Sequence, residues 1–303
     1  MSVKAPGAAE PEATARETSA RVATESAQSV RLGNLNVHYL RQGVGPPLLL
    51  LHGFTVGSST LTYGPAIEPL AKTFDVIAPD LPGYGLSDAP DTLYTTADYV
   101  EFVVRFLDAL GLAQVNLVGF SKGGAIALGV SLEHPARVRK LMLVSAYALS
   151  RWTVFPIVPF LAVRNPWLVR FFWRSLRRYR RLLPWYLRWV IFGNAKAVTE
   201  QLLEEVRAPL AQEGSEVAFM AWLRGEMGLL HYATDYSRRL DELKVPTLFL
   251  HGTRDRVVSP RGVRRAAKLA PNARLRLVRR CGHWLPREAT GAFVKAIDSF
   301  FGP

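Results

Sequence analysis

The chain has 303 residues, 49% of them hydrophobic, which is enough for one large core or a core carrying an inserted subdomain. Its one cysteine, Cys281, excludes an internal disulfide framework and any cysteine-rich metal site, and it points to a reducing compartment. A net charge of +13 invites a nucleic-acid reading, but the excess is local: between Arg151 and Thr199 there are nine Arg and one Lys with no Asp or Glu.

Residues 1–29 are rich in Ala, Glu, Ser and Thr and hold almost no large apolar side chain. Such a segment buries too little surface to offset its ordering entropy, so it is expected to be a disordered tail. Pro6, Glu10, Glu12 and Arg16 interrupt any secretory apolar run, and Glu17 and Glu25 add to the case against a transit peptide. The expected location is the cytoplasm, with the inner face of a membrane as a second station. Val30–Gly43 then reads as a hairpin turning at Gly33-Asn34.

Short runs that are hydrophobic throughout follow at Pro47–Leu51, Val76–Ala78, Val115–Val118, Lys140–Val144 and Thr247–Leu250, with Leu275–Val278 as a further candidate. Apolar runs without alternation are what parallel strands covered on both faces look like. Helical patterns fall between them, at Ala97–Leu110 (capped by Thr95 or Thr96, stopped by Gly111), Lys122–Glu133, Arg261–Leu269 and Glu288–Phe301. The alternation predicts a mostly parallel, doubly wound α/β sheet. It breaks between about 150 and 236, so the expected organisation is a core of 30–149 and 237–303 interrupted by a basic, aromatic-rich helical cap at 150–236.

Gly119-Phe120-Ser121-Lys122-Gly123-Gly124 lies directly after an apolar strand and directly before a helical stretch. A nucleophilic oxygen must stand exposed at the end of a sheet on a tight turn, and flanking glycines let backbone pass closely beneath it. A serine hydroxyl also needs a base to take its proton. His283, in the loop after the last strand, is the candidate; His52 and His251 read as loop-holding groups, and His38, His134 and His231 as surface or packing residues. Asp255, in the loop after Thr247–Leu250, is the candidate acid that orients His283. The bland alternative is an ion pair with Arg254 or Arg256. The backbone amides of Phe54 and Lys122 are the candidate oxyanion donors.

Together these motifs resemble the α/β-hydrolase superfamily, in its branch with an HG-x loop, a nucleophile elbow and a cap after the sixth strand. The matching pieces are His52-Gly53-Phe54, Asp80–Ser87, Gly119–Gly124, His251–Asp255 and Gly282-His283-Trp284, spanning Val30 to the C-terminus. In epoxide hydrolases and haloalkane dehalogenases of that fold the nucleophile is Asp, so Ser121 disfavours both. The resemblance implies that Asp80–Ser87 is a structural turn.

Within 150–192, Trp152, Trp167, Phe171, Phe172, Trp173, Trp185, Tyr186 and Trp189 intermix with arginines, and Pro156, Pro159 and Pro166 break any run long enough to span a bilayer. A packed cap and a helix lying on a membrane surface both suit this composition. Nucleic acid is disfavoured, because no recognised binding module accompanies the charge. An apolar cap suggests an apolar pocket, so the expected reaction is hydrolysis of a carboxylic ester with a lipid-like acyl group, with no metal or organic cofactor. Carbon–carbon bond hydrolysis, in which cap arginines could hold a substrate carboxylate, and cofactor-free haloperoxidase chemistry stay open beside it. A non-catalytic binding scaffold has no need of all three triad partners.

Overall fold

Alternation of inward and outward side chains makes Leu35–Gln42 a strand, and Gly33, at φ +63°, supplies the left-handed residue its hairpin turn requires. A computed structural model of the chain describes residues 26–53, 58–89, 95–150, 164–212, 216–226 and 232–302. The eight strands are β1 (Ala27–Leu32), β2 (Leu35–Gln42), β3 (Pro47–Leu51), β4 (Asp75–Pro79), β5 (Val115–Phe120), β6 (Val138–Val144), β7 (Thr247–Gly252) and β8 (Ala273–Val278). They form one sheet in the order β1-β2-β4-β3-β5-β6-β7-β8. The pairs β1–β2 and β2–β4 are antiparallel; every pair from β4 onward is parallel.

The expected tail needs correction at its inner end. Most of it, residues 1–25, lies outside the described residues, but Ala27–Ser29 belong to β1 and pair with His38–Leu40. β1 is an edge strand whose first three side chains are exposed, so it shows no apolar signature. Backbone pairing holds it, helped by the Tyr39 hydroxyl donating to Gln28 Oε1.

Helices α1 (Ser59–Leu70), α2 (Thr96–Ala109), α3 (Lys122–Glu133), α8 (Pro260–Leu269), α9 (Leu285–Glu288) and α10 (Thr290–Phe301) surround the sheet. Thr95 and Asp98 close a capping box on α2. α1 was not legible beforehand, because Pro65 and Pro69 sit inside it and mask the helical pattern. Burial holds it instead: Tyr63 donates its hydroxyl to the Leu51 carbonyl and stacks on Phe293. The helix expected at Glu288–Phe301 runs over Thr290–Phe301, with the short helix Leu285–Glu288 directly before it.

Between β6 and β7 the chain leaves the sheet for α4 (Pro166–Arg178), α5 (Leu182–Tyr186, continued by a wider turn through Ile191), α6 (Glu200–Ala211) and α7 (Val217–Glu226). Val169, Trp173 and Leu176 form the buried stripe of α4, with Trp173 stacked on Phe219 of α7.

β3, β5 and α3 cross at the Ser121 turn with no room for side chains. A Cβ on Gly123 would overlap the Leu51 carbonyl oxygen, and one on Gly119 would overlap that of Gly123. Backbone cannot yield there as a flexible side chain can. Gly123→Ala is therefore expected to destabilise the fold by about 2 kcal/mol or more, read as a lowered urea midpoint.

Candidate active site

β5 is buried along its whole length and delivers Ser121 at its carboxyl end, where α3 begins. Ser121 has φ 51° and ψ −112°, a conformation that costs a non-glycine residue about 1–3 kcal/mol. Its amide is held by the Val144 carbonyl at 2.9 Å, so the sheet itself fixes the turn.

The loops after β7 and β8 bring two further groups to this point. His283 Nε2 lies 3.0 Å from Ser121 Oγ, and His283 Nδ1 lies 2.9 Å from Asp255 Oδ2. A carboxylate can only accept, so Nδ1 carries the proton and Nε2 is left to accept from the serine hydroxyl. The other Asp255 oxygen accepts from the amides of Val257 and Val258, each at 2.8 Å. Burial alone would raise the Asp255 carboxyl, but the charge and hydrogen bond of His283, with His251 and the Val258 amide, outweigh it and hold it below its ordinary value. All three side chains are buried. The chain from serine to imidazole to carboxylate can deprotonate the hydroxyl and stabilise the cation that forms.

Arg254 and Arg256, the alternative partners for Asp255, turn away from it. Arg254 Nη1 donates to the Gly193 carbonyl at 3.0 Å and Arg256 Nη1 to that of Trp189 at 2.6 Å. His251 Nε2 bonds the Val258 carbonyl at 3.2 Å, bracing the acid loop. His52 Nδ1 donates to the Gly53 carbonyl at 2.8 Å, while its Nε2 accepts from the Leu81 amide at 3.0 Å. Asp80, buried beside it, accepts from the amides of Ser59 and Leu86, which makes Asp80–Ser87 a braced turn.

Of the two oxyanion amides, Phe54 lies outside the described residues. Lys122 opens α3, where backbone N–H groups have no intrahelical acceptor. The Lys122 side chain is a surprise. It is buried, with Nζ 4.3 Å from the Tyr84 ring centre and 3.7 Å from that of Tyr99, and burial pushes its pKa well down. Among the described residues no three His, Cys, Asp or Glu side chains group as metal ligands.

Sequence reasoning also missed Glu288. Its carboxylate accepts from the amide of Gly282 at 2.7 Å, of Asn194 at 2.6 Å and of Gly193 at 3.0 Å, and the His283 amide donates to the Ile191 carbonyl at 2.7 Å. The histidine loop and the segment after α5 are thus sewn together. Only the position of Glu288, five residues beyond His283, could have hinted at this. On the far side, Glu226 of α7 accepts from the amide of Thr96 at 2.7 Å and from its hydroxyl.

A family model for the alpha/beta hydrolase fold matches residues 46–289, and the chain belongs to that family. Over 266 residues it is 33% identical to a 2-hydroxymuconate semialdehyde hydrolase of Pseudomonas putida, covering 86% of this chain and 88% of that one. A 2-hydroxy-6-oxo-2,4-heptadienoate hydrolase of Pseudomonas putida is 27% identical, with 92% and 97% covered. Among solved structures, a meta-cleavage product hydrolase of Pseudomonas fluorescens superimposes with a TM-score of 0.74 at 26% identity, covering 91% of this chain and 98% of that one.

These relatives overturn the expected cleavage of a lipid-like ester, since the names they carry are those of carbon–carbon bond hydrolases. The expectation rested on the apolar composition of the cap. The triad could not correct it, because the same three groups serve acyl transfer from carbon as from oxygen.

Two outcomes follow from the geometry. Burial pushes His52 from 6.5 down to about 4, against the opposing charge of Asp80, and a second proton on the ring would also break the Leu81 bond. The unfolded chain then binds more protons at acid pH. Stability held in full above pH 6.5 is lost as pH falls towards about 4, by at most about 3 kcal/mol. Urea midpoints against pH check this, and His52→Asn should lack that part of the slope. Glu288→Ala strands three amides and should cost about 2–3 kcal/mol, read as a lowered midpoint at neutral pH.

Proposed function

We propose that this protein hydrolyses a carbon–carbon bond in a conjugated 2-hydroxy-6-oxo-dienoate, the substrate class in the names of its relatives. The observation that carries the reading is the near full-length match to a 2-hydroxymuconate semialdehyde hydrolase, on a chain whose Ser121, His283 and Asp255 stand in bonding order. His283 takes the Ser121 proton and Ser121 Oγ adds to the 6-oxo carbonyl carbon, while Asp255 keeps the imidazole in the needed tautomer. The Lys122 amide supports the charged oxygen, with Phe54 as its expected second donor.

The bond to the neighbouring carbon then breaks. Carbon is a far poorer leaving group than an alcohol oxygen unless its electron pair is delocalised. Once the 2-hydroxyl proton has moved to C5 and left a 2-oxo group, conjugation to that group provides this: the electron pair of the broken bond passes to the 2-oxygen, which takes the proton from His283. Water, deprotonated by His283, releases the acid from Ser121. The sum is substrate plus water giving a carboxylic acid and a shorter hydroxydienoate.

Of the cap arginines, Arg170, Arg174, Arg178, Arg181 and Arg188 are exposed to solvent, so these five are not the carboxylate anchor.

The test is loss of the substrate's visible or near-ultraviolet chromophore on mixing 2-hydroxymuconate semialdehyde with the protein. Ser121→Ala should slow this about a thousandfold or more while leaving the fold intact. A correctly folded wild type that leaves the chromophore unchanged would sink the reading.

A further inference from the structure

The arginines that do not serve the pocket are distributed in a pattern of their own. On α4, Trp167, Phe171, Arg174 and Arg178 follow one another at intervals of four, three and four residues, which places them along a single stripe. That stripe lies opposite the buried Val169, Trp173 and Leu176, and Trp167 and Phe171 are each 63% exposed. On α5 and the turn that continues it, Leu183 and Leu187 are buried while Trp185 and Trp189, four residues apart, are 55% and 61% exposed. The two helices pack through Phe172 on Tyr186, edge to face at 5.7 Å, so the exposed rings share one neighbourhood of the surface.

Rings of this size left in water are unusual, and clustered ones mark a surface that something covers. The charge around them has one sign. Arg170, Arg174, Arg178, Arg181 and Arg188 are exposed and form no ion pair among the described residues, and residues 151–199 contain no acidic side chain. The covering surface must therefore accept aromatic rings and supply many negative charges at once.

We propose that this face docks on an anionic lipid bilayer, with the rings at the level of the headgroups and the guanidinium groups on lipid phosphates. Indole rings settle at such an interface, and arginine stems lie along apolar surface while their heads reach phosphate. The stripe on α4 grades from rings at its amino end to arginines at its carboxyl end, so rings can enter the headgroup layer while guanidinium groups reach phosphate. Its exposed face is that of an amphipathic helix and not the stacking platform of a nucleic-acid groove. No described helix is long and apolar enough to cross a membrane, so the contact is peripheral. The inference is independent of the bond the active site breaks.

Co-sedimentation of the full chain with vesicles tests it, comparing phosphatidylcholine alone with phosphatidylcholine containing phosphatidylglycerol. Binding is expected only to the anionic vesicles, weakening with salt, with a blue shift of tryptophan emission. Trp167→Ala with Phe171→Ala, and separately Arg174→Glu with Arg178→Glu, should each lower the bound fraction about tenfold or more. Unchanged thermal melting would show that these surface variants fold. No binding, equal binding to both vesicles, or binding that survives both double substitutions overturns the proposal. So does a protein that binds an oligonucleotide or its own copies through this face but leaves the vesicles alone.

Discussion

Ser121 stands where three stretches of backbone meet with nothing between them. β3 ends beside the start of α3, and β5 arrives from below, so that main-chain atoms occupy the space that side chains would fill elsewhere. The strained φ of Ser121 is tolerable only because the Val144 carbonyl and this crossing hold the turn from outside. Every other part of the site is arranged around that point. The β7 and β8 loops supply Asp255 and His283, while His52 and Asp80 brace the neighbouring loops.

The cap is joined to the chemistry through backbone. Glu288 takes one amide from the histidine loop and two from the segment after α5, and Arg254 and Arg256 reach from the acid loop to carbonyls of the same segment. Charge-assisted bonds of this kind are roughly twice as strong as neutral ones. Burial in the same region pushes the Cys281 thiol up, by desolvation first and then by the charge of Glu288.

Legibility followed the physics of each element. β3, β5 and β7 were plain because strands covered on both faces are hydrophobic throughout, and α3 was plain because it begins at the serine turn and ends before Pro135. α1 and β1 were not. One hides its pattern behind two prolines, and the other is an exposed edge held by main-chain bonds that side-chain identity does not encode. Ser121, Asp255 and His283 were named from order and loop position, and the structure brings them within bonding distance. Glu288 and the Lys122 side chain escaped notice because their importance lies in which backbone or ring they meet, a matter of tertiary contact alone. The bond to be cleaved was misjudged for a different reason. Residues that activate a serine carry no record of the leaving group.

The two fastenings of the cap, at Glu288 on one side and at Glu226 on the other, also bear on how a guest is received. Stretches tied to the core by charge-assisted bonds take their places as the chain folds. Their ordering entropy is then lost once, during folding, and is not charged again when something binds.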